Sequence, residues 1–562
     1  MIQWKIQGIW QKHGSATLIV MWGMIGTTLG QGIWHVDAPE FDKAVQDMEW
    51  QSQQTGREMV GSVIPADVDF FQVAARTVQD GLETWMLEVH VPGALATCIY
   101  FDDFHLPAGA TLHFHTPEGN YDEVWSEGPV TDAENNTHRR WTNDEVPGDA
   151  LVMVYRCPEG TTQQATLGMC GVGFFARHQR FPQPWDSQVS RGGSDPCQVD
   201  VNCPEGDSWQ CEKDAVVKLR ITQGGGIYLC SGSMVNNTAR DCRQLMLSSF
   251  HCADEVEENE WPFFKVQFNY EYFECGGVQS INSRTRTGVI HLTDSDDSFN
   301  GQINGSDFLL VEVEDPIIDS WEPFYAGWDA SGFSGNGGAG IHHPSGDRKK
   351  ISTYNNSPIN SNVYSSGAHW RVQWAATETD HGVTEGGSSG SPIFEESHRI
   401  IGTLTGGSSY CDYPYAPDYY GKMSYHWDGN NPIPTSMRLK AFLDPVGTGE
   451  ELMNGSYVQD AGEGNVACDL YTSCEATRVE DRFLSGLTII PNPTQGLVDI
   501  TSPAGFEFEH IQWFDAMGSL LGEVSGRGVF RELDLSAWGK GVRYITVTTS
   551  DGWAATRRVV VQ

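Results

Sequence analysis

Short apolar runs separated by turn sequences recur along most of this chain. Between about 60 and 177, runs such as 84–91 and 150–155 alternate with turns rich in proline, glycine, asparagine and aspartate. Short strands at regular spacing with such turns predict an all-β sandwich. One hydrophobic core cannot organise 562 residues, so we expect several domains.

Changes in composition divide the chain further. The stretch 181–194 is rich in proline, glycine and serine, is typical of a solvated linker, and places a boundary near Arg191. From Gly192 to about Leu452 the sequence is glycine-rich with little helical periodicity, which predicts a second all-β domain large enough for two packed barrels. From about Leu487 a third β-sandwich of about 80 residues follows.

The charge excludes some partners. With 74 acidic against 35 basic residues, the formal charge of -39 repels nucleic acid and anionic lipid. At the N-terminus, Lys5 and Lys12 precede an apolar stretch over 16–29, which is short for a membrane span and typical of a signal peptide over 1–30. We therefore expect an exported protein without an integral membrane span.

Export makes disulfides the expected state of the cysteines. The chain has 13 cysteines, ten of them after residue 190, and no Cys-x-x-Cys pair. A zinc site with that spacing has no support, and no metal or other cofactor is implied.

Three segments of the middle domain carry the groups needed for acyl transfer. An apolar run ends at His251, Asp307 opens another, and Ser389 lies among glycines. A serine nucleophile needs an imidazole to take its proton and a carboxylate to orient that imidazole. The glycines favour amides of Gly387 and Ser389 turned toward a developing oxyanion.

Each segment alone favours a structural interpretation. A histidine beside a cysteine is commonly a structural residue, an aspartate at a strand start a turn former, and a Gly-Ser run a flexible loop. The order His, Asp, Ser in one exported all-β domain favours catalysis, because it is one of the known orders of such a triad.

The middle domain resembles the lysyl endopeptidase branch of bacterial trypsin-like serine proteases. The resemblance rests on segments 197–207, 230–239, 305–310, 326–329, 340–344 and 382–392. It implies a double β-barrel protease in which His251 is the general base, Asp307 its orienting acid and Ser389 the nucleophile. It also makes His342 and His343 a structural strand feature rather than metal ligands.

The same resemblance implies a disulfide scheme. Its pairs are Cys197 with Cys411, Cys203 with Cys275, and Cys230 with Cys252. Outside that scheme, Cys211 and Cys242 are a possible extra bridge, Cys468 and Cys474 a small disulfide loop, and Cys157 with Cys170 a plausible pair; the sequence leaves the pairing of Cys98, Cys157 and Cys170 open.

The segment after Cys411 resembles the part of the family that forms the primary specificity pocket. We assign its acid to Asp418, with Asp412 as the alternative, because a buried carboxylate without an internal partner favours an entering cation. The strand over 404–407, with Thr405, Gly406 and Gly407, is expected to line the pocket and pair with substrate backbone.

Two departures from the lysine-specific pattern concern this pocket. Thr405 stands where those enzymes carry histidine, and Tyr364 is the nearest match to their stacking tryptophan. Gly192 aligns with the family's mature N-terminus, so Arg191 is the expected processing site. We expect cleavage after Lys or Arg without choosing between them.

The flanking regions resemble parts of exported precursors. Residues 31–191, through the runs 104–110 and 128–136, resemble the pro-regions of such proteases. The C-terminal region, through the motifs 491–496, 533–541 and 557–561, resembles the type IX secretion sorting domain of Bacteroidetes. The expected organisation is a signal peptide (1–30), a β-rich pro-domain (31–191), a protease domain (192–452), a linker (453–482) and a sorting domain (483–562).

The expected product is a secreted or cell-surface enzyme exported through the periplasm. Its partners are protein or peptide substrates, its own pro-domain and the type IX machinery. The alternative is a catalytically silent adhesin or binding protein on a protease scaffold.

Overall fold

The structure of the chain is a computed structural model. It describes residues 32–117, 126–177, 193–277, 284–297, 305–317, 321, 323–429, 434–462, 465–468, 487–490, 494–502, 507–515, 520–549 and 554–561. The expected signal peptide, Arg191, Gly192 and Cys474 lie outside these ranges.

The N-terminal unit is built mainly of strands. Its elements are β1 (Ile33–His35), α1 (Phe41–Thr55), β2 (Glu58–Asp69), α2 (Phe70–Val73), β3 (Ala75–Gln79), β4 (Leu82–His90), β5 (Ala96–His105), β6 (Thr111–His115), β7 (Ser126–Val130), β8 (Trp141–Thr142), β9 (Val146–Pro147), β10 (Ala150–Pro158) and β11 (Thr166–Phe175).

Two sheets form this unit. One has the order β1-β4-β10-β6-β7, with β3 on β4, and the other contains β2, β11, β5, β8 and β9. Alternating side chains of strands such as β6 point into the space between them, where Phe101, Phe104, Phe114 and Trp141 pack together. The predicted β-rich unit is therefore present, and helix α1 is an addition to it.

The middle unit is also β-rich. Its elements are β12 (Val199–Asp200), α3 (Gln210–Ala215), β13 (Val216–Gln223), β14 (Gly226–Met234), β15 (Leu245–Ser248), β16 (Lys265–Phe268), β17 (Arg284–Thr287), β18 (Val289–Asp294), β19 (Leu309–Val313), β20 (Phe324–Tyr325), β21 (Gly327–Asp329), β22 (Gly338–His342), β23 (Lys350–Tyr354), β24 (Ile359–Ser361), β25 (His369–Val372), β26 (Pro392–Glu395), β27 (Arg399–Gly407), β28 (Asp418–Lys422), α4 (Met423–Asp428) and α5 (Leu439–Leu443).

Its strands fall into two groups. The first joins β17-β16-β13-β14 and adds β15, β19 and β18. The second has the order β12-β23-β22-β26-β27-β28-β25-β24, mostly antiparallel. The buried residues Leu247, Leu310, Trp328 and Phe394 belong to one apolar cluster that draws on both groups. The predicted all-β fold class, with flanking β units, is confirmed.

The N-terminal and middle units share a sheet. Strand β2 pairs antiparallel with β14, placing Glu58 opposite Leu229 and Gly61 opposite Ile227. The joint continues through an apolar cluster that includes Val60, Tyr100, Ile227, Leu229 and Phe263.

Two buried cations of the middle unit face acids and carbonyls of the N-terminal unit. Arg220, 3 % exposed, lies 3.2 Å from Glu145 and donates to the carbonyl of Asn143 at 2.9 Å. Lys265 Nζ lies 2.8 Å from Asp144 Oδ1 and donates to the Thr142 carbonyl at 2.9 Å. Buried charges require such partners, so the segment over 142–145 completes the surface of the middle unit.

The chain beyond 452 remains attached to the middle unit. Its elements there are β29 (Leu452–Met453), β30 (Ser456–Tyr457), β31 (Gln459–Gly462) and β32 (Asn465–Ala467). Strand β29 pairs with β21 and β30 pairs with β20. Part of the expected linker thus belongs to the sheets of the middle unit.

The C-terminal unit is a sandwich of two small sheets. Its strands are β33 (Thr488–Ile490), β34 (Leu497–Thr501), β35 (Phe508–Phe514), β36 (Leu520–Gly528), β37 (Phe530–Asp534), β38 (Gly541–Thr549) and β39 (Ala554–Val561). The sheets have the orders β33-β34-β37 and β36-β35-β38-β39 and enclose residues such as Ile500, Trp513 and Val547.

The structure contains the three disulfides that the resemblance implies, whereas the other expected cysteine pairs are not formed. They are Cys197–Cys411, Cys203–Cys275 and Cys230–Cys252. A fourth joins Cys242 to Cys468.

The expected Cys211–Cys242 bridge and Cys468–Cys474 loop are therefore wrong. The reason is that Cys468 is carried back onto the middle unit, where its amide donates to the Arg240 carbonyl at 3.1 Å. Cys211 is also disulfide-bonded.

The suggested Cys157–Cys170 pair is also wrong, because Cys98, Cys157 and Cys170 are free thiols. Cys157 lies against Thr162 and Cys170 against the Tyr100 carbonyl. Among the described helices, none has the length and apolar character needed to cross a bilayer.

Candidate active site

His251 is held by Asp307 through two separate contacts. Asp307 Oδ1 accepts the His251 amide at 2.9 Å, and Asp307 Oδ2 lies 2.7 Å from His251 Nδ1. His251 is 4 % exposed and Asp307 is fully buried. With Nδ1 bound to the acid, the proton-accepting role is left to Nε2, the arrangement that a general base requires.

A second acid positions Asp307. Asp307 has a left-handed backbone, with φ of 60°, and its amide donates to Asp297 Oδ2 at 2.8 Å. Ser295 Oγ donates to the same oxygen at 2.7 Å. Burial and, to a smaller extent, the nearby charge of Asp307 raise the pKa of Asp297 to about 6, although the hydrogen bond from Ser295 opposes the rise. The sequence did not predict Asp297, because its contact with the Asp307 amide depends on how the chain between them folds.

Ser389 lies on a tight loop over 386–390, which we call the nucleophile loop, ahead of strand β26. Gly387 has a φ of 85°, a conformation that glycine adopts without steric cost. Its carbonyl accepts from Ser231 Oγ at 2.9 Å, and the Ser389 carbonyl accepts the Ser231 amide at 2.8 Å. Both carbonyls are thereby fixed, while none of the hydrogen bonds within the described residues uses the amides of Gly387 or Ser389. Those two amides remain available to an oxyanion.

The loop is also anchored from behind. His342 Nδ1 lies 2.8 Å from Ser388 Oγ, and His342 Nε2 lies 3.2 Å from Ser352 Oγ. Burial lowers the pKa of His342 to about 3, and that of His343 also falls well below its usual range. His342 is therefore a neutral hydrogen-bonding group behind the nucleophile loop.

The nucleophile loop contacts the segment that ends at His251. A Cβ added to Gly390 would lie 2.1 Å from Ser248 Oγ and 2.9 Å from the Ser249 amide nitrogen. Only glycine fits there, and this close approach brings Ser389 to the segment that ends at His251. In the described part of the chain, no hydrogen bond joins Ser389 to His251, and such bonds often tighten only when substrate binds.

Asp418 is buried, but the expectation that it lacks an internal partner is wrong. Its carboxylate accepts from Trp374 Nε1 at 2.6 Å, Thr384 Oγ1 at 2.8 Å and Ser409 Oγ at 2.6 Å, and also from two backbone amides. Burial raises the pKa of Asp418, and these hydrogen bonds oppose the rise. The donors are all neutral, so the charge itself has no counter-ion among them. The alternative acid, Asp412, is exposed.

The strand expected beside the pocket is β27, which ends at Gly407. Gly406 lies near Tyr364, because a Cβ added to Gly406 would be 3.0 Å from the Tyr364 hydroxyl. Gly407 packs against Asp418, whose Oδ1 would lie 1.8 Å from an added Cβ. The structure therefore brings the predicted residues of 405–407 to Asp418 and Tyr364.

His369 occupies this site and was missed by sequence reasoning. It lies on β25, with its ring 5.2 Å from that of Tyr364 and its Nε2 3.1 Å from Thr405 Oγ1. Burial lowers its pKa to about 4, so the ring is neutral at ordinary pH. A histidine from β25, on the far side of β28 from β27, thus reaches Thr405, and local sequence does not signal this contact.

Comparison with protein families matches one part of the chain. Residues 191–421 match the family described as lysyl endopeptidase, C-terminal domain. The lysyl endopeptidase of Pseudomonas aeruginosa is 31% identical over 248 residues, which are 42% of this chain and 50% of that protein. The chain therefore spans half the length of this relative.

Solved structures are more distant. A thermostable serine protease, AL20, is 12% identical with a TM-score of 0.28, covering 40% of this chain and 100% of its own. A Glu endopeptidase in complex with MPD is 15% identical with a TM-score of 0.25, covering 38% of this chain and 86% of its own. The sequence match to the lysyl endopeptidase domain family over 191–421 therefore falls on the all-β middle unit.

Proposed function

We propose that this chain is the precursor of an exported serine endopeptidase that cleaves after basic residues. The observation that carries the proposal is the double contact between Asp307 and His251 beside the Ser389 loop. Such a histidine takes the proton of a serine hydroxyl, and the carboxylate stabilises the imidazolium that forms.

The reaction follows from these positions. Ser389 Oγ attacks the scissile carbonyl while His251 accepts its proton, and the amides of Gly387 and Ser389 stabilise the oxyanion. His251 then protonates the leaving amine, and an acyl-enzyme remains on Ser389. Water attacks the ester by the same route in reverse and restores the serine.

Covalent labelling tests the nucleophile. A phosphonyl fluoride should label Ser389 in the matured protein, and the Ser389→Ala variant should take up no label. Peptide hydrolysis should be lost in the same variant. An unlabelled protein that still binds a partner tightly would instead identify a binding protein on a protease scaffold.

Asp418 supports a preference for basic residues before the scissile bond. Its buried carboxylate has polar donors but no cation among them, and an entering lysine or arginine would supply one. Profiling a peptide library with the matured protein tests this preference. Equal cleavage after Leu or Glu would refute it, and the profile would also rank Lys against Arg.

The precursor organisation belongs to the same proposal. The N-terminal unit acts as a pro-domain, which the sheet shared by β2 and β14 supports, and cleavage follows Arg191. Mass spectrometry should find Gly192 as the new N-terminus, and Arg191→Ala should abolish that product. A stable, uncut and fully active chain would identify the N-terminal unit as an accessory domain.

The C-terminal sandwich is proposed to direct export by the type IX secretion system. Its short ordered motifs, over 491–496, 533–541 and 557–561, carry this assignment. A chain ended after residue 482 should remain in the periplasm, whereas the full chain should reach the medium or the cell surface. Unchanged secretion of the shortened chain would refute the sorting role.

A further inference from the structure

Arg57 of the N-terminal unit is buried in an acidic pocket of the middle unit. Arg57 is 3 % exposed, and its Nη2 donates a hydrogen bond to Asp254 Oδ1. Nη1 lies 3.6 Å from Glu255 Oε2, and the guanidinium lies 5.8 Å from the centre of the Tyr228 ring. Asp254, Glu255 and Tyr228, which we call the Arg57 pocket, thus combine charge with an aromatic face.

The pocket adjoins the candidate active site. Asp254 follows His251 by three residues, and Tyr228 lies on β14 two residues before Cys230, whose disulfide partner Cys252 is next to His251. The residue after Arg57 reaches the nucleophile loop, because a Cβ added to Gly386 would lie 2.3 Å from Glu58 Oε2. Arg57 and Glu58 therefore lie within the region that a bound substrate would occupy.

The positions of β27 and β14 also indicate which half of a substrate would reach the Arg57 pocket. Strand β27, which leads to Gly407 and Asp418, flanks the nucleophile loop on one side, where the Gly390 amide donates to the Leu404 carbonyl at 2.9 Å. Strand β14 flanks it on the other, where the Ser231 amide donates to the Ser389 carbonyl at 2.8 Å. If the acyl half of a substrate lies along β27, the leaving half extends toward β14.

The backbone pairing of β2 with β14 is one that a peptide substrate can also form. Residues from Glu58 onward pair with β14 as an added antiparallel strand, and this pairing needs no particular side chains. Selectivity would then come from the pocket that receives Arg57.

We propose that the Arg57 pocket is a substrate subsite for a basic side chain on the leaving-group side of the scissile bond, and that Arg57 occupies it in the precursor. The inference rests on the proposed endopeptidase function and extends it. Once the N-terminal unit is released, Asp254 loses its cation, and a lysine or arginine of the substrate replaces it. A neutral side chain there leaves the acid without a counter-ion.

Peptides that differ only after the scissile bond test the subsite. The full chain is produced, allowed to mature and assayed with peptides that share one basic residue before the bond and carry Lys, Arg, norleucine or citrulline at the first or second position after it. We expect kcat/KM to be roughly tenfold higher for the charged residues at one of these positions. The preference should disappear in Asp254→Asn and persist in Glu258→Gln, which changes an exposed acid of the same loop.

A peptide copy of residues 56–65 gives a second measurement. It should inhibit the matured protein, and replacing its arginine with citrulline should weaken inhibition in the parent but not in Asp254→Asn. Equal rates and equal inhibition for charged and neutral residues, with cleavage after basic residues intact, would overturn the subsite alone. Absence of both cleavage and Ser389 labelling would overturn the endopeptidase function and the subsite with it.

Discussion

His369 and Thr405 are joined by a hydrogen bond between Nε2 and Oγ1 at 3.1 Å, beside the strand end that leads to Asp418. The other ring nitrogen, Nδ1, has no hydrogen-bond partner among the described residues. Within the described ranges, Thr405 is therefore the one polar contact of this buried ring, and the Tyr364 ring lies 5.2 Å from it. The pair therefore ties β25 to the end of β27.

Replacing Thr405 tests this positioning role. Thr405→Val should lower kcat/KM roughly fivefold or more for peptides long enough to pair with residues 405–407, because His369 loses its partner and the strand end shifts. Thr405→Ser keeps the hydroxyl and should retain most of the activity. Small ester substrates that contact only Asp418 and Ser389 should respond little to either change. An equal loss on both substrate types would point to general misfolding.

Asp418 should decide the preference for basic residues. Asp418→Asn retains the size of the side chain and removes its charge, so kcat/KM for peptides with Lys or Arg before the bond should fall by about 100-fold or more. Steady-state kinetics with matched Lys and norleucine peptides would measure the change. Asp412→Asn, at the exposed alternative position, should have no effect.

Asp297 should make stability depend on pH. Its pKa is raised from 3.8 to about 6 by burial, so the folded protein binds this proton more tightly than the unfolded chain. The free energy of unfolding should therefore fall as pH rises from about 4 to about 6, by up to about 3 kcal/mol, and contribute no further change above that.

Urea unfolding across that pH range measures the effect. Asp297→Asn should remove this part of the pH dependence, since the amide does not titrate and its Oδ1 can still accept the Asp307 amide. Asp296→Asn changes an exposed neighbour and should leave the pH dependence as it is. Identical pH profiles for the parent and Asp297→Asn would contradict the assignment.

The acids over 144–145 should hold the N-terminal unit in place. Asp144→Asn with Glu145→Gln removes the two carboxylates that form ion pairs with the buried Lys265 and Arg220. The N-terminal unit should dissociate at least about tenfold more readily after cleavage, as measured by size-exclusion chromatography or inhibition assays. Asp149→Asn, an exposed acid of the same unit, should leave dissociation unchanged.

Local sequence was informative where a function depends on a short segment. His251, Asp307, Ser389 and Gly387 each lie in a recognisable run, and the structure brings those runs to one place. The fold class followed from strand length and turn residues. These features are encoded within a few neighbouring residues.

Contacts between distant segments could not be inferred in the same way. His369 reaches Thr405 across 36 residues, and Cys242 bonds to Cys468 across 226. The pairing of β2 with β14 joins two strand edges whose sequences contain no signal for each other, since backbone hydrogen bonds accept almost any side chain. The donors around Asp418 likewise come from three separate segments.

The bridge between Cys242 and Cys468 has a consequence for trimming of the C-terminus. Removal of the terminal sandwich by cleavage beyond 468 would leave a short stub, residues 453–468, on the middle unit. The Cys242–Cys468 disulfide holds it covalently, and β29 and β30 pair it with strands of that unit. A recombinant chain that stops at 452 would lack that stub and carry an unpaired thiol at Cys242. A chain that keeps this bridge therefore extends at least through Cys468.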